Sequence, residues 1–208
     1  MDDICVPIVF TEYKIAVPQA KVDLPKFMND WGVPDITTPA KLEDLGHAGC
    51  MFIQGATGLT RYWEYGRYDA AAKGLTRGTS IPDVTIDGLG DVRPASLKTA
   101  LHAVSAKSGQ GGVISAAWIP VPGKFKAMQD YADKRMRENS MASRAPYALT
   151  SNSCLHFMKG VMEAAGLSTP LLVDPRPVSY IAEIRGSFTP LDYNPRSREL
   201  KRGGKKFG

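Results

Sequence analysis

Residues 147–166, YALTSNSCLHFMKGVMEAAG, contain the pattern that decides the fold. The polar run Thr150-Ser151-Asn152 supplies side chains that commonly cap the first turn of a helix. Apolar residues then recur at helical spacing, and the segment ends at Gly166, a residue typical of helix ends: they are Met158, Val161, Met162 and Ala165. The pattern predicts a helix with Cys154 in its first turn.

A thiol in the first turn of a helix lies at the positive end of the helix dipole, which favours the thiolate. Cys154 is therefore a candidate nucleophile. The alternative is a half-buried structural thiol, because Cys154 is four residues from Met158 on the predicted apolar face.

A nucleophilic thiol needs a base, and the chain contains three histidines. His102 lies in the middle of a predicted helix and is expected to face solvent. His156 is two residues from Cys154, so the two side chains diverge on a helix. His47 opens a strand-like run, HAGCMFIQ, over residues 47–54, and is the preferred base.

A second strand-like run, residues 60–68, follows the turn Gly55-Ala56-Thr57-Gly58 and predicts a β-hairpin. Pairing around this turn places His47 opposite Gly66, with Glu64 as the nearest diagonal carboxylate on the same face.

Glu64 is therefore the candidate partner for the imidazole, although it could equally be an exposed strand acid. A register shift of one residue would substitute Tyr65, and Gln54 and Asp69 are further alternatives.

The remaining elements indicate an α+β fold with an antiparallel sheet. Helices are predicted over 96–107, with Ser96 as the cap, and over 124–140; strands are predicted over 6–17, 113–121, 171–173 and 178–184. We expect one catalytic domain, residues 1–195, followed by a basic flexible tail, residues 196–208.

The charge is concentrated in that tail. It holds six basic residues and one acid, which accounts for the whole net charge of +5 in the 208-residue chain. The body is therefore neutral, which argues against a basic nucleic-acid groove. The tail is either a solvated terminus or a contact with an anionic polymer or membrane surface.

The N-terminal sequence and the cysteine spacing further limit the kind of protein that this chain can be. The start, MDDICVPIVF, has two acids and lacks the features of a secretory signal, and no apolar run reaches the length of a transmembrane helix. We therefore expect a chain made in the cytoplasm that leaves by a route other than a cleaved signal. Three cysteines without a C-x-x-C spacing exclude a disulfide framework.

A zinc site is a further possibility to weigh. Two histidines and two cysteines could be drawn as ligands: His47, Cys50, Cys154 and His156. Side chains three apart on a strand point to opposite faces, and side chains two apart on a helix diverge. We therefore expect no metal and no cofactor.

The order of a histidine strand before a cysteine helix resembles the circularly permuted branch of the NlpC/P60 papain-like superfamily. The likeness is carried by His47-Ala48-Gly49, by the hairpin TRYWEYGRYD, and by Asn152-Ser153-Cys154-Leu155-His156-Phe157. Within this group the chain resembles small amidase toxins that type VI secretion delivers to attack the peptidoglycan of rival bacteria.

The resemblance implies a papain-like fold in which the sheet packs against the cysteine helix. It implies that Cys154 attacks an amide carbonyl in a peptidoglycan stem peptide, that His47 holds its proton, and that Glu64 takes the third, polar position. The oxyanion would bind the backbone N–H of Cys154 and either Asn152 or Ser153.

The same resemblance implies a monomeric antibacterial toxin that acts in the target-cell periplasm, with an immunity protein and a component of the secretion spike as partners. Nucleic acid is not an expected partner. Alternatives on the same fold are a thiol acyltransferase, a lipid hydrolase and a protein deamidase. A non-enzymatic interaction domain, with Cys154 as a structural thiol, is a further alternative.

Overall fold

The structure is a computed structural model that describes residues 1–14, 46–68 and 73–208. Its centre is an eight-stranded antiparallel sheet in the order β4-β3-β2-β1-β5-β6-β7-β8. The strands are β1 Ile4–Phe10, β2 His47–Ile53, β3 Thr60–Gly66, β4 Leu75–Thr79, β5 Ile114–Pro120, β6 Thr189–Asn194, β7 Glu199–Arg202 and β8 Lys205–Lys206. The predicted α+β class with an antiparallel sheet is confirmed.

Within the described residues, four helices cover the two faces of this sheet: α1 Pro94–Ser108, α2 Phe125–Glu138, α3 Cys154–Ala164 and α4 Pro177–Ser187. Helix α1 packs on one face through a buried stripe of Leu97, Ala100, Leu101 and Val104. Helices α2, α3 and α4 pack on the other face, where Cys5 and Cys50 belong to the same buried cluster as Cys154. The cysteine helix is thus held against the middle of the sheet.

Strands β1 and β2 are the most deeply buried, because every residue of both is buried. Alternation sends Val9 to the α3 face and Ile8 to the α1 face, which explains why both strands read as nearly continuous apolar runs. The β2–β3 pairs run from Gly49 opposite Glu64 to Ile53 opposite Thr60. This register is the predicted one.

Two predictions for the second half of the chain are wrong. Residues 171–173 are not a strand, and residues 178–184 belong to helix α4. Pro177 opens that helix, and Tyr180, Ile181 and Ile184 form its buried face at helical rather than alternating spacing.

Smaller differences concern element ends. Helix α1 begins at Pro94, so Ser96 is not its cap; the Ser96 hydroxyl instead donates to the Arg93 carbonyl at 2.8 Å. The predicted strand over 6–17 begins at Ile4 and ends at Phe10, and residues 15–17 lie outside the described residues.

Residues 196–208, predicted as a tail outside a domain of residues 1–195, continue the sheet as β7 and β8. Gly203 and Gly204 form the turn between these strands, with φ of 62° and 76°, values that suit a tight hairpin and that other residues rarely adopt. Leu200 is fully buried, and Arg202 pairs with Asp91 at 2.8 Å. The terminal hairpin, residues 199–206, is therefore anchored to the body.

Candidate active site

Cys154 is the first residue of α3, where the helix dipole acts on its thiol. The preceding residue, Ser153, is the N-cap, with extended backbone at φ −121° and ψ −179°. The ring of His156 folds back on this cap: its Nδ1 lies 2.9 Å from Ser153 Oγ and accepts the Ser153 N–H at 3.4 Å. His156 therefore closes the first helical turn by its contacts with Ser153.

His47 is the first residue of β2, and Gly46 turns the chain into this strand with a φ of 72°. A Cβ on Gly46 would lie 3.0 Å from the carbonyl oxygen of Phe10, so a larger residue would be both strained and crowded. The His47 ring lies 4.9 Å from the Tyr13 ring and 6.1 Å from the Phe10 ring, measured between centroids. These aromatic neighbours fix the orientation of the imidazole.

Glu64 meets His47 across the hairpin, with Glu64 Oε2 at 2.9 Å from His47 Nε2. The Glu64 side chain is completely buried. The Tyr62 hydroxyl donates to Oε2 at 3.1 Å, and Arg77, its cross-strand partner on β4, donates to Oε1. A buried carboxylate is tolerated here because its oxygens are paired with donors and a cation.

These contacts decide the charge of Glu64. Burial alone would raise the pKa of the carboxyl group, but the hydrogen bonds and charges of His47 and Arg77 lower it below its ordinary value. Glu64 is therefore ionised, and it can orient and stabilise an imidazolium. Tyr68 adds a hydroxyl 3.1 Å from the same Nε2, and its own pKa is raised by burial and by the charge of Glu64.

Cys154 and His47 lie close enough for each to shift the pKa of the other, although 107 positions separate them in the chain. Burial raises the pKa of the Cys154 thiol, but the hydrogen bond and charge of His47 more than offset this, so the pKa is lowered. Burial lowers the pKa of His47, whereas Cys154 and Glu64 raise it, with a net result of about 9. Both shifts favour the thiolate form of Cys154 and the imidazolium form of His47.

The geometry also distinguishes the two ring nitrogens of His47. Nε2 lies 2.9 Å from Glu64 Oε2 and 3.1 Å from the Tyr68 hydroxyl oxygen. Where a carboxylate holds one ring nitrogen in this way, the opposite nitrogen is left for proton transfer.

Two further donors reach the sulfur of Cys154. The backbone N–H of Ala48 donates to it, which helps lower the pKa of the thiol. The hydroxyl of Tyr147 donates to it at 3.8 Å, and the Tyr147 ring stacks on Tyr65 with centroids 5.8 Å apart. Burial, followed by the charge of Cys154, raises the pKa of Tyr147 well above its ordinary value, so its proton is retained.

Comparison with known proteins identifies the family. A sequence model described as type VI secretion system effector TseH-like matches residues 5–168, which include Cys154, His47 and Glu64. The chain belongs to the TseH-like family of type VI secretion system effectors. It is therefore a secreted effector, consistent with an antibacterial role.

A solved structure agrees with this TseH-like assignment. The crystal structure of the type VI secretion system effector TseH aligns with a TM-score of 0.78 and 31% sequence identity, over 97% of each chain. The shared fold thus extends beyond the matched segment to α4 and the terminal hairpin. None of the curated proteins compared matches the chain.

Asn152 and Ser153, the residues expected to bind the oxyanion, use their side chains for other contacts. Asn152 uses its side chain to hold the loop before α3: Nδ2 donates to Tyr65 Oη at 2.8 Å, and Oδ1 accepts from Arg135 at 2.9 Å. Ser153 directs its hydroxyl to His156. The backbone of both residues leads directly into Cys154, but neither side chain contacts the sulfur within the described structure.

The alternatives to Glu64 lie elsewhere. Gln54 is at the other end of β2, where its Oε1 accepts the hydroxyl of Thr57 at 2.6 Å. Tyr65 lies on the α3 face of the sheet, opposite to Glu64. Asp69 lies outside the described residues.

Three site residues were missed by sequence reasoning: Tyr68, Arg77 and Tyr147. Arg77 was missed because the short, glycine-containing strand β4 carries little strand signal, although a third strand after the hairpin would have placed a residue opposite Glu64. Tyr147 opens the segment quoted first, but its role depends on the loop that returns it to the helix start.

The described residues contain no helix that is long and apolar enough to cross a membrane. Among residues 1–14, 46–68 and 73–208, no three histidine, cysteine or acidic side chains are grouped as a metal site.

Proposed function

We propose that this effector is a cysteine hydrolase that cleaves amide bonds in peptidoglycan stem peptides, on a circularly permuted papain-like NlpC/P60 fold. The observation that carries the proposal is the buried chain of contacts from Cys154 through His47 to Glu64. The permutation is supported by the order of the histidine strand before the cysteine helix. The substrate class is supported by the effector family together with the resemblance in sequence.

In the first half of the reaction, the Cys154 thiolate attacks the amide carbonyl carbon and forms a C–S bond. The C–N bond then breaks, and the His47 imidazolium gives its proton to the leaving amine. The product of this half is a thioester on Cys154 and a neutral His47 imidazole.

In the second half, neutral His47 takes a proton from water, and the hydroxyl attacks the thioester carbonyl. The C–S bond breaks, the acid product leaves, and the pair returns to thiolate and imidazolium. Glu64 remains ionised throughout, because its role is to orient the ring of His47 and to stabilise its positive charge.

The negative charge that develops on the carbonyl oxygen needs hydrogen-bond donors. The backbone N–H of Cys154 lies at the N-terminus of α3 and is one such donor. The hydroxyl of Tyr147, 3.8 Å from the sulfur, is the better placed side-chain donor, because the Asn152 amide is already bonded to Tyr65.

The proposal extends to the cellular setting. Peptidoglycan stems are exposed in the periplasm of the target cell, so delivery by the secretion spike must place the effector there. A producing cell would need an immunity protein that blocks the site. We expect the effector to act as a monomer and without a cofactor, since the three side chains are sufficient for acyl transfer.

The test is digestion of purified sacculi, followed by mass spectrometry of the released peptides. Wild type is expected to release new amino and carboxyl termini, and Cys154→Ala is expected to release none, because a methyl group cannot form a thioester. Cys50→Ala is the matched control: this buried thiol lies 3.6 Å from Cys5 and does not contact His47. It should keep full activity at some cost in stability.

Toxicity in cells separates the substrate classes. Protein directed to the periplasm should kill in a Cys154-dependent manner, and the same protein kept in the cytoplasm should be harmless. Killing from the cytoplasm that depends on Cys154 would instead indicate a protein or lipid substrate. Full release of peptides by Cys154→Ala would overturn the cysteine-hydrolase proposal.

A further inference from the structure

Beside the nucleophile lies a small pocket that the proposed chemistry does not use. It has a volume of about 50 Å³ and lies between the end of α2 and the loop that leads into α3. Its lining includes Arg135, Arg144, Tyr65, Asn139 and Asn152. We name it the arginine pocket.

The charge of the arginine pocket is positive. Arg135 and Arg144 contribute two guanidinium groups, and Glu138 contributes the single carboxylate, with its Oε2 3.2 Å from Arg135 Nε. Both arginines act on the Tyr65 hydroxyl: burial raises the pKa of Tyr65, and the two positive charges oppose that rise. A guanidinium pair of this kind suits a planar carboxylate, which it can bind through parallel hydrogen bonds.

Contacts within the fold hold the two guanidinium groups of the arginine pocket in position. Arg135 donates to Asn152 Oδ1 at 2.9 Å and lies 5.0 Å over the ring of Tyr65. Arg144 donates to the carbonyl oxygen of Asn139, whose side chain in turn bonds the backbone of Thr76 on β4 at 2.7 and 2.9 Å. Both guanidinium groups are thus tied to regular elements of the fold.

The pocket is also coupled to the nucleophile. Asn152, which lines it, is two residues before Cys154. Tyr65, which also lines it, stacks on Tyr147, whose hydroxyl reaches the sulfur. A substrate whose amide lies over Cys154 can therefore extend a neighbouring group past the Tyr65–Tyr147 pair into the pocket.

We propose that the arginine pocket is a substrate subsite that binds a free carboxylate of the peptide next to the scissile amide. This inference rests on the proposed function, which it deepens by naming the feature of the substrate that is recognised. Stem peptides carry free carboxylates beside their amides, so such a subsite favours them over peptides that lack a carboxylate at that position.

The test compares a synthetic stem tetrapeptide that has free carboxylates with matched peptides in which one carboxylate at a time is a carboxamide. For wild type, one carboxamide should lower kcat/KM by about tenfold or more, because a charge-assisted contact is lost. Arg144→Gln should lose this preference while it still cleaves the carboxamide peptide. Arg137→Gln, an exposed residue of the same helix that does not line the pocket, should keep it.

Binding of the same peptides to Cys154→Ala, measured by calorimetry, separates this inference from the proposed function. Tighter binding of the free acid than of the carboxamide supports the subsite, even if wild type cleaves neither peptide. Failure of wild type to cleave either peptide would overturn the hydrolase proposal alone. Equal cleavage and equal binding of acid and carboxamide would overturn the subsite alone. If Arg144→Gln does not fold, the comparison of acid with carboxamide on wild type decides by itself.

Discussion

His47 and Glu64 meet at 2.9 Å through Nε2 and Oε2, on neighbouring strands of one hairpin. Because the hairpin fixes their separation, the imidazole is oriented by the backbone of β2 and β3 rather than by a mobile loop. Cys154 opens a helix that packs against the same strand as His47. The site therefore depends on the β2–β3 register and on the contact between α3 and β2.

The pH dependence of activity should follow the thiolate–imidazolium pair. His47 has a pKa raised to about 9, so kcat/KM should stay high at neutral pH and fall as pH rises through about 9, when the imidazolium loses its proton. At the acid end, activity should fall where the Cys154 thiolate takes up a proton, and this pKa is lowered from its ordinary value.

Thiolate absorbance at 240 nm provides a direct measurement of this pair. The difference between wild type and Cys154→Ser should show a thiolate already present at pH 7. The buried Cys50 should not contribute, since burial raises its pKa well above the ordinary range. A difference spectrum that appears only above about pH 8.5, the ordinary value for a thiol, would contradict the ion pair.

Replacement of Glu64 by glutamine should lower kcat/KM by about 10 to 10³-fold, because the neutral amide stabilises the imidazolium less well than a carboxylate. The alkaline limb of the pH profile should also move to lower pH, since Glu64 is one of the groups that raise the pKa of His47. An unchanged alkaline limb in a folded Glu64→Gln protein would show that Glu64 has only a structural role.

The hairpin of this site could be predicted from sequence because both of its signals are local. Two strand-like runs, residues 47–53 and 60–66, with glycines at the turn between them, predict the register that pairs the imidazole with the carboxylate. The position of Cys154 could be predicted for the same reason, since the cap and the apolar stripe lie within one segment.

What sequence reasoning missed depends on contacts between distant segments. Strand β4 is short and contains Gly78, so its pairing with β3, and with it Arg77, follows only from the sheet. The terminal hairpin was not predicted because its many basic side chains are typical of a solvated tail. Leu200 is its one fully buried apolar residue. The segment that forms helix α4 resembles a strand in sequence because its apolar residues are partly β-branched.

Tyr147→Phe should lower kcat by about 10 to 10²-fold and leave the melting temperature close to that of wild type. The hydroxyl that reaches the Cys154 sulfur is lost, whereas the ring that stacks on Tyr65 is kept. Steady-state kinetics and a thermal melt of the same preparation check both parts. Tyr180→Phe is the matched control, because its hydroxyl bonds the Pro170 carbonyl oxygen and not the sulfur. Equal kinetic losses in the two variants would assign the effect to a general loss of packing.

The terminal hairpin should stabilise the fold in addition to supplying positive charge. Leu200 is completely buried, so Leu200→Ala should lower the free energy of unfolding by about 2–5 kcal/mol, and deletion of residues 196–208 should cost at least as much. Chemical denaturation of each variant measures this. The paired change Lys205→Gln and Lys206→Gln removes two exposed charges without touching the core, so it should leave stability within about 0.5 kcal/mol.

That charge variant also tests attraction to the anionic wall. If the basic side chains contribute, Lys205→Gln with Lys206→Gln should weaken binding to sacculi at low salt, and added salt should abolish the difference because exposed charges are screened over about 8–10 Å at physiological ionic strength. Wild-type binding that does not change with salt would exclude an electrostatic role.

Wild-type stability in Leu200→Ala would contradict the anchored hairpin, since an exposed, frayed segment loses nothing when a methyl group replaces a leucine side chain.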